Sequence, residues 1–328
     1  MNRKLLITGA SGFVGYHLIT EALHQGYDVY AAVRESSSVA HLAHLPIRFT
    51  YPDFGNVHEL RKELDEKEYA YIIHAAGITK ARTQKEYDLV NAVYTRNLAQ
   101  AIVSSGRPSK KLVFLSSLAA SGPATLSQPV EEISKPSPVT PYGKSKLMAE
   151  QYLNNTYGLD FITLKPTAVY GPREKDLLLM FRSIGRGLEP YIGNQDQHLS
   201  FIYVKDLARA AVNALQSNRS RKSYLLSDGM VYDKYAMGEV VKALLQKKTI
   251  RLHIPIPVVR LVARVLDTAY AFSSKTPTIN REKLPELMAE SWACSIEKAR
   301  TELDFEPQYD LKKGLAETIR WYKNNNWL

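Results

Sequence analysis

The first fifteen residues constrain the fold more than any other part of the chain. Residues 3–8 predict a short buried strand, and a glycine-rich turn then leads straight into an apolar-periodic stretch that predicts a helix. Gly9 permits the tight turn, Gly12 lets the backbone approach a phosphate, and Gly15 lets the helix lie close to the strand. The helix N-terminus then offers backbone N–H groups and a positive dipole end, which suits a pyrophosphate. The alternative is an ordinary turn that requires positive φ.

Composition narrows the class of protein. The 328 residues predict one large domain or two unequal ones, and 45% apolar with 23% charged residues is typical of a soluble globular enzyme. The net charge of +10 arises from 43 Lys and Arg scattered among 33 Asp and Glu. This scatter favours a local anion site and a small-molecule substrate, and it argues against a nucleic-acid partner.

Cysteine usage and the chain start indicate the compartment. Cys294 is the single cysteine, which excludes an internal disulfide and fits a reducing environment. We see no signal-like segment before the first strand and no run of about 18 apolar residues, so we expect a cytoplasmic protein. The sequence contains no His, Cys and Asp cluster at ligand spacing, so we expect no metal site.

Strands and helices alternate through the first half of the chain. Predicted strands cover residues 3–8, 27–33, 47–51, 69–74, 111–115 and 160–164, and the helices between them include 57–67, 83–105 and 142–157. This order predicts an α/β fold with a doubly wound parallel sheet of the Rossmann type. Ligands are then expected at the carboxyl ends of the strands.

Helices dominate the second half. We predict them at residues 176–186, 204–216, 233–246, 258–272, 296–303 and 311–324. The pattern predicts a dinucleotide-binding domain over residues 1–170, to which 200–228 returns, and a smaller, mostly helical substrate-binding part over 171–328. Helix 258–272 mixes apolar residues with Arg260, Arg264 and Asp267, and an amphipathic helix that carries arginine can lie on a membrane surface. Packing on the protein's own core is favoured, so a membrane partner is not expected.

A tyrosine and a lysine four residues apart carry the predicted chemistry. Tyr142 and Lys146 lie one turn apart on a helical face. A free tyrosine has a pKa of about 10, and a nearby ammonium and a cationic nicotinamide favour its phenolate. Such a group can exchange a proton with an alcohol while hydride leaves or reaches its carbon. Ser116 and Ser117 end a buried strand, where active residues collect, and Ser117 can bond the substrate oxygen.

Motifs in order along the whole chain resemble the extended short-chain dehydrogenase/reductases, which include NAD-dependent epimerases and dehydratases. The likeness rests on residues 8–15, the Ser117, Tyr142 and Lys146 set, and residues 164–172, 200–208 and 299–307. It implies a Ser/Tyr/Lys catalytic triad, with Asn91 supporting the lysine through water. The cofactor-binding residues that the resemblance implies are Gly9, Ser11, Gly12, Phe13, Val14, Gly15, Arg34, Asp53, Phe54, Ala75, Ala76, Gly77, Ser116, Tyr142, Lys146, Pro166, Ala168 and Val169.

Cofactor choice follows from charge at the end of the second strand. A carboxylate there would hold the ribose of NAD, but this chain has Arg34, followed by Ser36, Ser37 and Ser38. A guanidinium and hydroxyls suit a 2′-phosphate, so NADP is favoured over NAD. Glu35 adjoins Arg34 and leaves NAD open.

Two departures from the family pattern bear on the substrate. Nucleotide-sugar epimerases of the family commonly carry an arginine where this chain has Leu199 and Ser200, and dehydratases carry an acidic residue where it has Leu118 and Ala119. The chain looks more like the bacterial branch similar to hydroxysteroid dehydrogenases and dihydroflavonol reductases. We therefore expect an NAD(P)-dependent oxidoreductase that interconverts a secondary alcohol and a ketone.

Two alternatives stay open: a nucleotide-sugar epimerase with tightly bound NAD, and a non-catalytic, cofactor-binding regulator. The resemblance also implies a homodimer formed through helices like 83–105 and 142–157.

Overall fold

A seven-stranded parallel sheet forms the centre of the protein, whose computed structural model describes residues 2–269 and 281–328. The strands are β1 (Lys4–Thr8), β2 (Asp28–Ala32), β3 (Arg48–Thr50), β4 (Tyr71–His74), β5 (Lys111–Leu115), β6 (Phe161–Pro166), β7 (Ala168–Tyr170), β8 (Leu188–Ile192), β9 (His198–Leu199), β10 (Phe201–Tyr203), β11 (Lys222–Leu226), β12 (Tyr232–Asp233), β13 (Ile250–Ile254) and β14 (Ser291–Trp292). The sheet order is β11-β6-β5-β4-β1-β2-β3, so the direction of strand addition reverses between β1 and β4.

Helices cover both faces of this sheet. They are α1 (Phe13–His24), α2 (Val57–Lys67), α3 (Gln84–Tyr87), α4 (Tyr94–Ser104), α5 (Pro141–Asn154), α6 (Leu178–Gly185), α7 (Val204–Ala214), α8 (Ala236–Leu245), α9 (Ile256–Ala269), α10 (Leu284–Leu287), α11 (Glu297–Leu303) and α12 (Leu311–Asn324). One face packs α1, α7 and α11 against the strands, and the other packs α2, α4 and α5. The predicted doubly wound α/β fold is confirmed.

The strands are buried on both faces, which explains their apolar sequences. All five residues of β5 are buried, and four of the five residues of β1 and of β2 are buried. Parallel strands covered by helices on both sides read as continuous apolar runs without polar alternation. Strand β11 adds a seventh strand to the six that were predicted, and it pairs with β6 from Lys222 to Leu226.

The C-terminal part has its own core, and its described strands form or join three small sheets, β10-β7, β12-β9-β14 and β13-β8. Helices α6, α8 and α12 pack around Phe181, Val241 and Tyr322, and β8 pairs with β13 as a two-stranded parallel ribbon. The boundary between residues 1–170 and 171–328 stays a prediction. Among the residues that the structure describes, no helix combines the length and apolar character needed to cross a membrane.

Two predicted helices differ from the observed ones in an informative way. The predicted helix 83–105 is α3 and α4 joined by a π-helical segment, Asp88–Val93. The predicted helix 258–272 is observed as α9, and its residues 270–272 lie outside the described residues. A π segment widens the helix by one residue in a turn and often marks a functional site.

Candidate active site

The glycine turn closes against the loop that follows β4. Gly9 has a φ of 70°, and a Cβ there would lie 2.7 Å from the Ala75 carbonyl carbon. A Cβ at Gly15 would overlap the Gly9 carbonyl oxygen, so only glycine lets α1 lie this close to the turn. The same loop carries the other two predicted cofactor contacts, Ala76 and Gly77, so the structure brings both predicted groups together.

The start of α1 is free to receive an anion. Its N-cap is Gly12, no side chain caps the helix, and no acidic residue lies in its first turn. Ser11, Phe13 and Val14 surround this end and are only partly buried. Uncapped N–H groups at the switch point of a parallel sheet fit the pyrophosphate of a dinucleotide.

A buried polar chain fixes the loop beside the turn. The Thr8 Oγ1 atom lies 2.8 Å from His74 Nδ1 and accepts the Ala76 N–H at 3.0 Å, and His74 Nε2 lies 3.0 Å from Thr95 Oγ1. Burial lowers the pKa of His74 to about 3, so its imidazole is neutral. Thr8 and His74 end the neighbouring strands β1 and β4, where they are paired in register.

Arg34, Asp53 and Phe54 follow strands β2 and β3, at the same carboxyl edge of the sheet as the glycine turn. Arg34 follows β2 and is exposed, and its backbone N–H donates to Ser37 Oγ at 3.2 Å. Asp53 accepts the Gly55 N–H at 2.8 Å, and the Phe54 ring centroid lies 5.9 Å from that of His74. The strand ends therefore place a guanidinium, a carboxylate and an aromatic ring along one edge of the sheet.

Helix α5 is built to meet the strand end that carries Ser117. Thr140 caps the helix by accepting the Gly143 N–H at 3.1 Å, and Pro141 begins it. A Cβ at Gly143 would overlap the Ala119 carbonyl oxygen, so a glycine is required for α5 to pack on the turn after β5. Ser117 caps that turn through a bond from the Ala119 N–H at 3.2 Å.

Tyr142 lies in the first turn of α5, beside Ser117. Burial raises the pKa of Tyr142 to about 12, and a hydrogen bond with the Ser117 hydroxyl opposes this rise. The predicted lowering by an ammonium together with a bound cationic nicotinamide stays a prediction, and in the chain alone desolvation is the largest influence on the pKa of this phenol. The Tyr87 ring centroid lies 6.4 Å from that of Tyr142. At neutral pH the phenol carries its proton.

Lys146 lies one turn further along the same helix. Its Nζ donates to the Leu115 carbonyl at 2.6 Å and lies 4.5 Å from the centroid of the Phe114 ring. Burial lowers the pKa of Lys146 to about 8, and the Glu150 carboxylate opposes this change. The ammonium is therefore charged at neutral pH but titrates within a physiological range.

Asn91 lies in the π-helical segment and joins three parts of the site. Its amide accepts the Ile78 N–H at 2.8 Å and donates to the Ile78 carbonyl at 3.0 Å and to Ser145 Oγ at 2.9 Å. A Cβ at Gly77 would lie 3.0 Å from Asn91 Oδ1 and 3.8 Å from Lys146 Nζ. Asn91 thus holds the loop after β4 against α5, close to the lysine.

Ser116 follows β5 directly, next to Ser117, but its hydroxyl bonds to a buried carboxylate of α5. Its Oγ hydrogen-bonds Glu150 Oε1, while Glu150 Oε2 lies 3.2 Å from Lys165 Nζ, and all three residues are buried. Glu150 and Lys165 were not among the predicted site residues, although Glu150 follows Lys146 at helical spacing. Their bonds tie α5 to the ends of β5 and β6.

The segment after β6 completes the described site. Pro166 ends β6, and Ala168 and Val169 lie in β7, which pairs with β10 from Phe201 to Tyr203. The backbone between them is held by the Thr167 N–H, which donates to the Leu226 carbonyl at 3.0 Å. Pro166, Ala168 and Val169, which are predicted to lie beside the nicotinamide, therefore stand at or just after the end of β6. Strand β6 pairs with β5, the strand that precedes the Ser117 turn.

Solved structures share this architecture. The UDP-glucose 4-epimerase of Thermus thermophilus in complex with NAD superposes with a TM-score of 0.78, at 20% identity, over 98% of this chain and 99% of that chain. At this identity the likeness concerns the fold.

Curated relatives match along nearly the whole length. A putative UDP-glucose 4-epimerase of Methanocaldococcus jannaschii is 24% identical over 98% of this chain and 99% of its own length. A ceramide reductase of Caulobacter vibrioides is 26% identical over 98% of this chain and 95% of its own length.

A sequence model of one family covers the residues that form the site. The model of the NAD dependent epimerase/dehydratase family matches residues 5–226, from the first strand of the sheet to its last. This range contains the glycine turn, the Ser117 turn, α5 and the segment after β6. The chain therefore belongs to the NAD dependent epimerase/dehydratase family and is a nicotinamide-dependent enzyme of the oxidoreductase and epimerase type.

Proposed function

We propose that this enzyme reduces the ketone of an uncharged small molecule to a secondary alcohol. The observation that carries the proposal is the Ser117 hydroxyl beside the Tyr142 phenol, one helical turn from the buried ammonium of Lys146. Ser117 orients the substrate oxygen, and Tyr142 gives that oxygen a proton. The bound dinucleotide supplies the hydride. A phenol that keeps its proton at neutral pH is able to act as the acid in ketone reduction.

Lys146 serves the same reaction by its charge. Protonated at neutral pH, its buried ammonium stabilises negative charge that develops on Tyr142 as the proton leaves. Asn91 keeps the loop after β4 in place against the helix that carries both residues. Gly9, Gly12 and Gly15 hold the pyrophosphate at the start of α1.

The charge near Tyr142 supports an uncharged substrate. Burial raises the pKa of Tyr87, and the carboxylates of Glu282, Glu286 and Glu86 raise it further. Glu286 also raises the pKa of Tyr142. An anionic group such as a nucleotide diphosphate would be repelled by these carboxylates. Leu199 and Ser200 stand where epimerases of the family commonly hold substrate phosphate, and Ser200 is buried.

A panel assay tests this proposal. Purified protein is mixed with NADPH and with neutral ketones or nucleotide sugars, and oxidation of the dinucleotide is followed by absorbance. We expect turnover with at least one neutral ketone. Turnover confined to nucleotide sugars, with no net oxidation of cofactor, would refute the proposal in favour of the second candidate.

That second candidate is a nucleotide-sugar epimerase, and the epimerase names of two similar proteins favour it. Such an enzyme returns the hydride that it takes, so it would purify with NAD bound and show no net redox change. A non-catalytic regulator is the third class, and undiminished biological activity of a Tyr142→Phe variant would favour it.

We infer a preference for NADP over NAD. The exposed Arg34 guanidinium and the Ser37 hydroxyl follow β2, and no acidic cap lies at the start of α1. Arg34→Asp should weaken NADPH binding about tenfold or more, because a charge-assisted bond to phosphate is replaced by repulsion. Binding of NADH should change little. Lys62→Asp, at an exposed position of α2, is the matched control, and equal losses for both cofactors would contradict the inference.

We also propose a cytoplasmic homodimer. The single cysteine supports a reducing compartment, and Leu89 and Val103 on the helices predicted to form the dimer are 46% and 39% exposed. Sedimentation of the purified chain tests the dimer, and we expect Leu89→Glu combined with Val103→Glu to give monomers.

A further inference from the structure

Helix α9 buries only a narrow stripe of its surface. Val259 and Ala263 are buried and pack with Leu284. Since successive helical residues advance by about 100°, the next apolar residues lie on a different side of the helix. They form a second stripe that is uncovered: Val258 (46% exposed), Leu261 (61%), Val262 (43%) and Val265 (59%). A helix that packs only on the core of its protein has a single apolar side, so core packing does not account for this second stripe.

The ribbon of β8 and β13, which packs against the buried stripe of α9, carries further exposed apolar residues. Ile250, Leu252 and Ile254 alternate along β13 and so project from one side of the ribbon. Ile254 packs under α9, whereas Ile250 and Leu252 are 71% and 51% exposed. Leu188, paired in register with Ile250, is 49% exposed. We call these three residues and the four exposed residues of α9 the apolar surface.

Positive charge predominates around the apolar surface. From residue 244 to the end of α9 at residue 269 the chain carries five Lys or Arg and one acidic residue, Asp267. Arg260 and Arg264 are exposed and lie between the buried stripe and the uncovered stripe of α9. Of the five, Arg251 pairs with Glu239, while Lys247 and Lys248 are exposed beside Ile250.

A basic hollow lies at the ribbon end of the apolar surface. Its volume is about 400 Å³, and Arg182, Arg186, Lys247, Lys323 and Trp327 line it. Arg186 precedes Leu188 by two residues, and the Gly187 carbonyl accepts the Ile250 N–H at 2.9 Å. Four cations around one hollow next to exposed aliphatic residues suit a phosphate headgroup whose acyl chains meet the apolar side chains.

We propose that the apolar surface docks the protein on an anionic lipid bilayer. The exposed aliphatic side chains enter the boundary between headgroups and acyl chains, and the surrounding Lys and Arg side chains contact lipid phosphates. Charge complementarity selects the membrane over a second copy of this chain, because two such surfaces would bring like charges together. The proposal makes no assumption about the reaction at Tyr142.

Vesicle co-sedimentation of the full chain tests the proposal. We expect binding to vesicles of phosphatidylcholine with about a third phosphatidylglycerol at low salt, and at least tenfold less binding to pure phosphatidylcholine. Leu261→Asn with Val265→Asn, and separately Arg260→Gln with Arg264→Gln, should each reduce binding to the anionic vesicles at least fivefold. Ile133→Asn, at a site that is 90% exposed elsewhere, should leave binding unchanged.

A fluorescence probe provides a second test of membrane contact in case one of these α9 variants fails to fold. Leu261→Trp should show a blue-shifted emission on addition of anionic vesicles, since its indole would enter an apolar layer. Absence of wild-type binding to anionic vesicles overturns the proposal, and so does binding that the Leu261 and Val265 changes leave intact. Dimers that dissociate when these two residues are changed, without vesicle binding by the wild type, would assign the surface to self-association and also overturn it.

Discussion

At the scale of single residues, the proposed site places a candidate proton donor, Tyr142, one helical turn from a buried ammonium, Lys146. Desolvation raises the pKa of Tyr142, so the phenol keeps its proton at neutral pH. Desolvation also lowers the pKa of Lys146, but its ammonium stays charged at neutral pH. The two groups share one helix, but their neighbours differ: Ser117 lies beside Tyr142, and the Lys146 ammonium donates to the Leu115 carbonyl. Their pKa values therefore respond to different substitutions.

Tyr142→Phe removes the proton donor and leaves the ring packing in place. We expect kcat for ketone reduction to fall by about 10²- to 10⁴-fold, with a much smaller change in dinucleotide binding. Steady-state kinetics and a cofactor titration measure the two effects. Tyr157→Phe, at a residue that is 96% exposed, is the control, and the prediction fails if both variants retain wild-type turnover.

Glu150→Gln should shift the pH profile of the enzyme. The Glu150 carboxylate raises the pKa of Lys146, which burial brings down to about 8. Neutralising Glu150 lowers that pKa further, so the alkaline limb of kcat/KM should move to lower pH by up to about one unit.

Lys165 supplies the control for that shift. Glu150→Gln leaves its buried ammonium unpaired, so the double change with Lys165→Met removes both charges and limits the loss of stability. The alkaline limb should stay displaced in the double variant. An alkaline limb at the wild-type pH in both proteins would show that Glu150 does not act on Lys146.

At the scale of elements, the close packing of α5 on the turn after β5 decides where Ser117 and Tyr142 lie relative to each other. Helix α5 reaches the turn after β5 only because Gly143 has no side chain. The π-helical segment between α3 and α4 then brings Asn91 into contact with both Ile78 and Ser145. The site is therefore set by the distances between three elements.

Gly143→Ala tests this arrangement. The added methyl group would overlap the Ala119 carbonyl oxygen, so α5 must move away from the Ser117 turn. We expect the free energy of unfolding to fall by about 1–3 kcal/mol and kcat to fall together with it. Denaturant unfolding and kinetics measure both. Gly106→Ala, where the nearest atom would be 3.9 Å away, should change neither, and wild-type kcat in Gly143→Ala would contradict the prediction.

At the scale of the whole molecule, a buried histidine joins the first helix to the start of the C-terminal part. His17 Nε2 lies 3.0 Å from the Pro172 carbonyl oxygen, and its ring is flanked by Phe13 and Tyr16. Burial lowers the pKa of His17 to about 4, while the hydrogen bond to Pro172 partly opposes this. The folded protein therefore holds His17 neutral.

This histidine should make the protein sensitive to acid. Below a pH of about 6.5 the unfolded chain binds a proton at His17 and the folded chain does not, so stability is lost as pH falls towards 4. The loss from this group is about 3 kcal/mol over that range. His17→Gln should reduce the difference between urea unfolding free energies at neutral pH and near pH 4, and exposed His24→Gln should not. Equal acid losses in both variants would contradict the prediction.

The sequence by itself determined the sheet and its ligand-binding edge. The glycine turn, the continuous apolar strands and the Tyr142 and Lys146 spacing are local patterns that dictate backbone conformation over a few residues, so residues 57–67, 111–115 and 311–324 were predicted with their observed bounds. Two-stranded pieces such as β8 and β13 were missed, because their pairing joins segments about 60 residues apart and leaves little local pattern.

Only the tertiary structure decided which buried side chains carry a proton at neutral pH and which apolar side chains are exposed. The raised pKa of Tyr142 and the bonds of Ser116 to Glu150 depend on burial and on partners from other elements. The apolar periodicity of α9 is the same whether its residues are covered or exposed, and its surroundings alone leave Leu261 uncovered. Local sequence specifies which conformation a segment adopts, whereas desolvation and long-range packing decide what each side chain meets.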